Sequence, residues 1–147
     1  MEKGFLYLFC FLMVSGFVNG ASFDGKRTKV EPPLEVSEKL GGASGMTFSA
    51  WFRRNPAGLN MRNEIMNLTI STSNANAVIV FLADNTLRLG GRTQTKEPFR
   101  SASTVSTWTD DKWHHVAGII DIGKKEMYIF VDGILQELKN KPAEWNE

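Results

Sequence analysis

Asp111-Lys112-Trp113-His114-His115-Val116-Ala117 and, a short hairpin later, Tyr128-Ile129-Phe130-Val131-Asp132-Gly133 decide how this chain folds. Each stretch joins β-forming apolar residues to a turn. Asp-Gly is a strong hairpin signal, because the tight turn that matches strand twist needs positive φ at both central positions. The spacing predicts a three-strand meander over Trp113 to Ile120, Glu126 to Val131 and Ile134 to Leu138.

Working outward, the same rhythm continues upstream: short apolar runs broken by Gly, Asn, Asp, Pro and Ser. That is how an all-β sandwich reads. Met46 to Arg53 alternates, with Met46, Phe48, Ala50 and Phe52 on one face and Thr47, Ser49, Trp51 and Arg53 on the other. Further strands are expected at Thr28 to Glu31, Glu64 to Ile70, Ala77 to Ala83, Thr86 to Leu89 and Phe99 to Val105. Ala77 to Ala83 is apolar throughout, which predicts a strand covered on both faces. Pro32-Pro33 ends the first of these strands and Gly90-Gly91 ends Thr86 to Leu89. Leu34 to Gly45 reads as loop with one helical turn around Val36 to Leu40. No amphipathic helix, internal repeat or linker stands out.

Three pieces of the chain resemble the laminin-G-like, concanavalin A-like jelly-roll family. Trp113 to Ala117 with Tyr128 to Gly133 resembles its W-H-H-V-A…Y-V-D-G signature. Thr47, Ser49, Ala50 and Trp51 match its F-T-I-S-A-W-V strand, and Phe23-Asp24-Gly25 its F-D-G entry. The resemblance covers most of Ala21 to Leu138. It implies an antiparallel β-sandwich of the jelly-roll, concanavalin A-like type, and extracellular recognition as its role. The family pattern continues past the V-D-G hairpin with a G-x-I-D-x-V-x-I-Y-type segment, and nothing after Leu138 matches it. Either the sequence is a piece of a longer chain or the sandwich lacks its C-terminal strands; the expectation for the chain as given is an unpaired sheet edge open to self-association.

Residues 1–20 read as a cleavable signal peptide. Lys3 supplies the positive start, Gly4 to Val18 the apolar run, and Val18-Asn19-Gly20 the small or short residues ahead of a cut before Ala21. The run is about 15 residues, short of the roughly 18 to 20 that cross a bilayer. Residues 21–138 then form the domain and 139–147 a polar tail. Cleavage removes one Lys, one Glu and the single cysteine, Cys10, so the formal net charge stays at +1. A near-neutral domain has no footprint for nucleic acid. It also has no disulfide and depends on core burial alone, which a chain of this size supports. The location implied is secreted, extracellular or cell envelope, with no membrane insertion after cleavage.

Several residues invite chemical readings. His114-His115 looks like a metal or catalytic pair, but neighbours on a strand point to opposite faces, so they do not share one metal. Glycan-cleaving relatives of the fold carry E-[IL]-D-x-x-E; after Glu64, Met66 and Leu68 or Thr69 stand where the two further acids belong, and no G-x-S-x-G is present. The chain is therefore read as no enzyme. The resemblance leaves Ca2+ open, with Asp24, Asp84, Asp110, Asp111 and Asp121 as candidate ligands that also suit turns. Trp51 and Trp113, in signature strands, are expected in the core. Trp108, in a polar edge loop, joins Arg92 and Phe99 as a candidate ligand-binding residue, and the alternative is that it plugs one end of the core. Trp145 belongs to the polar tail. Asn67-Leu68-Thr69 is an N-glycosylation sequon if the source is eukaryotic.

The function expected is a secreted non-catalytic binding module that recognises a glycan or an extracellular protein through rim loops. Two alternatives stand beside it: a structural surface or matrix domain packing on a partner chain, and the N-terminal fragment of a larger secreted enzyme or adhesin.

Overall fold

The structure is a computed structural model that describes residues 6–10, 21–23, 43–70, 75–92, 98–143 and 145. Among the described residues, eleven strands follow in order: β1 (Leu6–Cys10), β2 (Ala21–Phe23), β3 (Gly45–Arg53), β4 (Asn63–Ile70), β5 (Ala75–Phe81), β6 (Thr86–Arg92), β7 (Arg100–Thr107), β8 (Trp113–Asp121), β9 (Glu126–Val131), β10 (Ile134–Leu135) and β11 (Leu138–Lys139). They form two antiparallel sheets. One has six strands in the order β10-β9-β8-β3-β1-β2 and the other five in the order β11-β7-β6-β5-β4. The jelly-roll sandwich read from the sequence is the fold.

Alternation builds the core. β3 turns Met46, Phe48, Ala50 and Phe52 inward, opposite Val116 and Ile120 of β8, while Met127, Ile129 and Val131 of β9 extend the same layer. The facing layer comes from Ala77, Ile79 and Phe81 of β5 and Leu87 and Leu89 of β6. Phe52 and Phe81 meet edge-on across the two sheets, ring centroids 5.1 Å apart, a favoured aromatic geometry. Val78 and Val80 are buried as well, so β5 is covered on both faces, as its unbroken apolar run implies.

The Asp132-Gly133 turn has φ of 52° and 79° and joins β9 to β10 in the two-residue hairpin expected of it. Beyond β10 the structure departs from the sequence reading. Ile134 to Leu138 is not one strand. β10 pairs with β9, the chain crosses at Gln136-Glu137, and β11 pairs with β7 in the opposite sheet. Gly90-Gly91 does not end a strand either; both lie inside β6. The reason is a close approach. A Cβ at Gly90 would sit 2.6 Å from the Phe99 ring, so glycine here makes room for an aromatic lying on the strand. The tail is not merely polar, because Trp145 is 6% exposed and belongs to the core cluster.

β1 is the backbone of Leu6–Cys10, paired with β2 on one side and with Ala50 to Arg53 of β3 on the other. Asp24, the strand expected at Thr28 to Glu31 and the helical turn around Val36 to Leu40 lie outside the described residues.

Candidate functional site

β3 ends at Arg53, and the next residue organises one rim of the sandwich. Arg54 is 2% exposed. Its guanidinium donates to Asn85 Oδ1 (2.9 Å), Gly58 O (2.6 Å) and Asn63 Oδ1 (3.2 Å), with longer contacts to the Trp108 and Met61 carbonyls. Its plane lies 4.1 Å over Phe81. All of these acceptors are neutral, and burial lowers the Arg54 pKa from its ordinary value. Asn60 and Asn85 exchange hydrogen bonds, and the Trp108 N–H donates to Asn85 O. One buried cation thus ties together the loops after β3, β5 and β7. A planar five-donor fork suits that task where an ammonium does not.

His114 fastens a second part of the same rim. Its Nδ1 lies 2.7 Å from Asp132 Oδ2 and its Nε2 2.9 Å from Asp110 Oδ1. Only the imidazolium, a donor at both nitrogens, satisfies both carboxylates. Burial lowers the His114 pKa, but the hydrogen bonds to Asp132 and then Asp110 outweigh it, and the net shift is upward from 6.5. Asp132 also accepts the His115 N–H. Although burial pushes its pKa up, the His114 hydrogen bond leaves it below the ordinary value. His115 sits on the opposite face, its ring 5.2 Å from Trp51, as strand geometry requires.

These signs fix a pH dependence. A raised histidine pKa contributes stability that is whole below 6.5 and is lost as pH climbs through the higher folded-state value. Melting temperature should therefore fall on the alkaline side of that window. His114→Gln, which serves one carboxylate at most, should flatten the fall. A wild-type profile in the variant would mean that the clamp contributes nothing.

On the outward face beside this rim, Trp51 is 42% and Trp113 39% exposed. This corrects their expected place in the core. In the register Trp51 stands opposite His115 and Trp113 opposite Arg53, so all four share the outer face and the two indoles are diagonal neighbours. Signature position does not override alternation: the inward places of β3 are filled by Phe48, Ala50 and Phe52. Asp111 grips Arg53 with two hydrogen bonds, from Nε at 2.8 Å and Nη2 at 2.9 Å, and the Arg53 hydrogen bond lowers its pKa. The outcome is an aromatic surface bordered by fixed polar groups.

The three ligand-binding candidates are not brought together. Trp108 is on the Arg54 rim, partly buried against the core, where the end-plug alternative places it. Arg92 ends β6 and Phe99 precedes β7, at the opposite rim. Asn67 is exposed on the edge strand β4 and donates to Glu64 Oε2 at 3.1 Å. The calcium candidates do not converge. Asp84 accepts from Thr86 and Lys139, Asp110 from His114, Asp111 from Arg53, and Asp121 from the Lys124 N–H. Among the described residues, no three His, Cys, Asp or Glu side chains are placed to hold a metal; Asp24 lies outside the described residues.

A laminin-G-type model of the concanavalin A-like lectin/glucanases superfamily matches residues 24–147. The chain belongs to that superfamily. Membership supports a binding module in general. No curated protein and no solved structure matches the chain. Among the described residues, no helix of this superfamily member is long and apolar enough to cross a membrane.

Proposed function

We propose that this chain is a secreted, non-catalytic module that binds a glycan on the Trp51–Trp113 face, with the neighbouring rim loop of Asp110 to Lys112 contributing polar contacts. The observation that carries it is the pair of half-exposed indoles on adjacent strands. Keeping about two-fifths of each residue in water forgoes part of its burial free energy, and flat aromatic faces flanked by hydrogen-bonding groups suit the apolar face of a pyranose. The Arg53–Asp111 pair and His115 supply donors and acceptors at that border. The non-catalytic reading is supported by Glu64, which is engaged by Arg62 and Asn67 and has Met66, not a second acid, two residues on. A glycan array probed with purified protein tests the proposal. A defined glycan class should be retained, and a blank array on folded protein would remove it. Secretion is tested separately by N-terminal sequencing of exported protein, which should begin at Ala21.

A second reading, docking of an extracellular protein, is favoured by Ile134 and Leu135, both exposed on the edge strand β10. Cleavage before Ala21 adds a further expectation. It removes β1 and bares the ladder groups of Ala50 to Arg53, and open edges pair with other chains. Light scattering on the cleaved chain should then report oligomers, whereas a stable monomer would show that the edge is otherwise covered.

A further inference from the structure

Between the Trp108 N–H, which is fixed on Asn85, and the start of β8, the loop is held by side chains. Among the described residues, Thr109 to Lys112 make no backbone hydrogen bond to another element, and all four are exposed. Asp111 grips Arg53 on the outer face. Asp110 turns the other way, with Oδ1 2.9 Å from His114 Nε2 and Oδ2 4.0 Å from Lys112 Nζ. The His114 side chain is 14% exposed and its ring lies 5.5 Å from Phe52. Its charged surroundings are few. The loop presents Asp110 and Lys112, and the β9–β10 turn presents Asp132. On β3, Arg53 faces outward to Asp111, and Arg54 beyond it is taken up by neutral acceptors. On β8 itself, His115 lies on the opposite face, against Trp51.

The two carboxylates are held unequally. Asp132 sits in a tight turn, is the nearer to the ring at 2.7 Å, and also accepts the His115 N–H at 2.9 Å. Asp110, on the exposed loop, is the farther partner. A neutral imidazole donates from one nitrogen and presents a lone pair at the other, so it serves Asp132 and turns the lone pair on Asp110. We propose that His114 is a pH switch for this loop: the imidazolium latches Asp110, and loss of its proton releases Asp110 toward Lys112 while Asp132 stays bound. Asp111 and Trp113 follow directly in the chain, so release loosens the polar border of the Trp51–Trp113 face. On the glycan reading above, on which only this consequence rests, the module holds its ligand below the His114 midpoint and lets go above it. The two carboxylates set that midpoint above 6.5, so release lies on the alkaline side.

NMR pH titration of the ligand-free full chain, from about pH 5 to about pH 9, tests the switch without any glycan. The His114 ring nitrogens should titrate with a midpoint above 6.5. The amides of Asp110, Asp111 and Lys112 should move along the same curve, while the Gly133 amide stays nearly still. His114→Gln should abolish the loop response. Asp110→Asn, at an exposed position, keeps the test valid if that variant fails to fold. It removes the charge and supplies an N–H for the neutral ring, so the His114 midpoint should fall toward 6.5 and the loop amides should lose most of their response. Added calcium should change nothing. Loop amides that ignore His114, or that respond unchanged in Asp110→Asn, overturn the proposal. So does movement of Gly133 in place of the loop, or a curve displaced by calcium, which would give Asp110 to a metal. A glycan array run at both ends of the range should lose signal about tenfold or more at the alkaline end. Equal signals at both ends, with the loop amides moving, would cut the switch from the face. A blank array removes the glycan reading and leaves the switch to stand or fall on the amides.

Discussion

Arg54→Ala should lower the unfolding free energy by about 3 kcal/mol, since hydrogen bonds to a charged group contribute about 1.5–3 kcal/mol each. Hydrogen bonds of 2.6, 2.9 and 3.2 Å are lost together, although Asn85 Oδ1 keeps the Asn60 N–H, and the Phe81 ring loses its cation. Part of this is offset because burying the guanidinium is itself unfavourable, as its lowered pKa shows, and its Nε is buried without a partner. The net remains large against the roughly 5–15 kcal/mol of a whole domain. Arg54→Lys should recover little, because a compact ammonium does not span Asn85, Gly58 and Asn63 at once. Denaturant titration reads this directly. A loss below about 0.5 kcal/mol, the range of ordinary surface changes, would show that the rim loops are held by something other than Arg54.

Trp51→Ala and Trp113→Ala should each weaken glycan binding by tenfold or more. A buried aromatic hot spot is worth at least about 2 kcal/mol, and each 1.4 kcal/mol is about tenfold in affinity. The double variant should fall below detection. Stability should change far less than it would for a core tryptophan, where removal costs about 3–5 kcal/mol, because both indoles lie on the outward face. Calorimetric titration beside a melting curve separates the two effects. Binding and stability lost in parallel would place these residues in the core after all.

The sandwich was legible because period-two alternation in Met46 to Arg53, the Asp132-Gly133 turn and the apolar run of β5 each carry their geometry locally. The same alternation already assigned Trp51 to the face opposite Phe52, and giving more weight to its signature position produced the mistaken core placement. Gly90 looked like a strand end because the reason for glycine there, the Phe99 ring, arrives from the residue that precedes the neighbouring strand β7. Arg92, Phe99 and Trp108 looked like neighbours in the chain, yet β7 runs the full height of the sandwich between Phe99 and Trp108, which puts them at opposite rims. The Arg54 hub left only a faint trace, an arginine directly after an amphipathic strand with asparagines at 60, 63 and 85. The Asp110–His114–Asp132 clamp needed the β9 register, which aligns Val116 with Val131 and brings the turn to the ring.

The four tryptophans offer the most direct test of glycan recognition on the outer face. Their indole N–H signals can be followed individually during titration with a neutral glycan retained on the array. Trp51 and Trp113 should shift together along one saturation curve, while Trp108, partly buried on the Arg54 rim, and Trp145, buried at the opposite rim, stay in place. Movement of Trp108 with Trp51 and Trp113 silent would contradict the account and move the binding surface to the loops around Arg54.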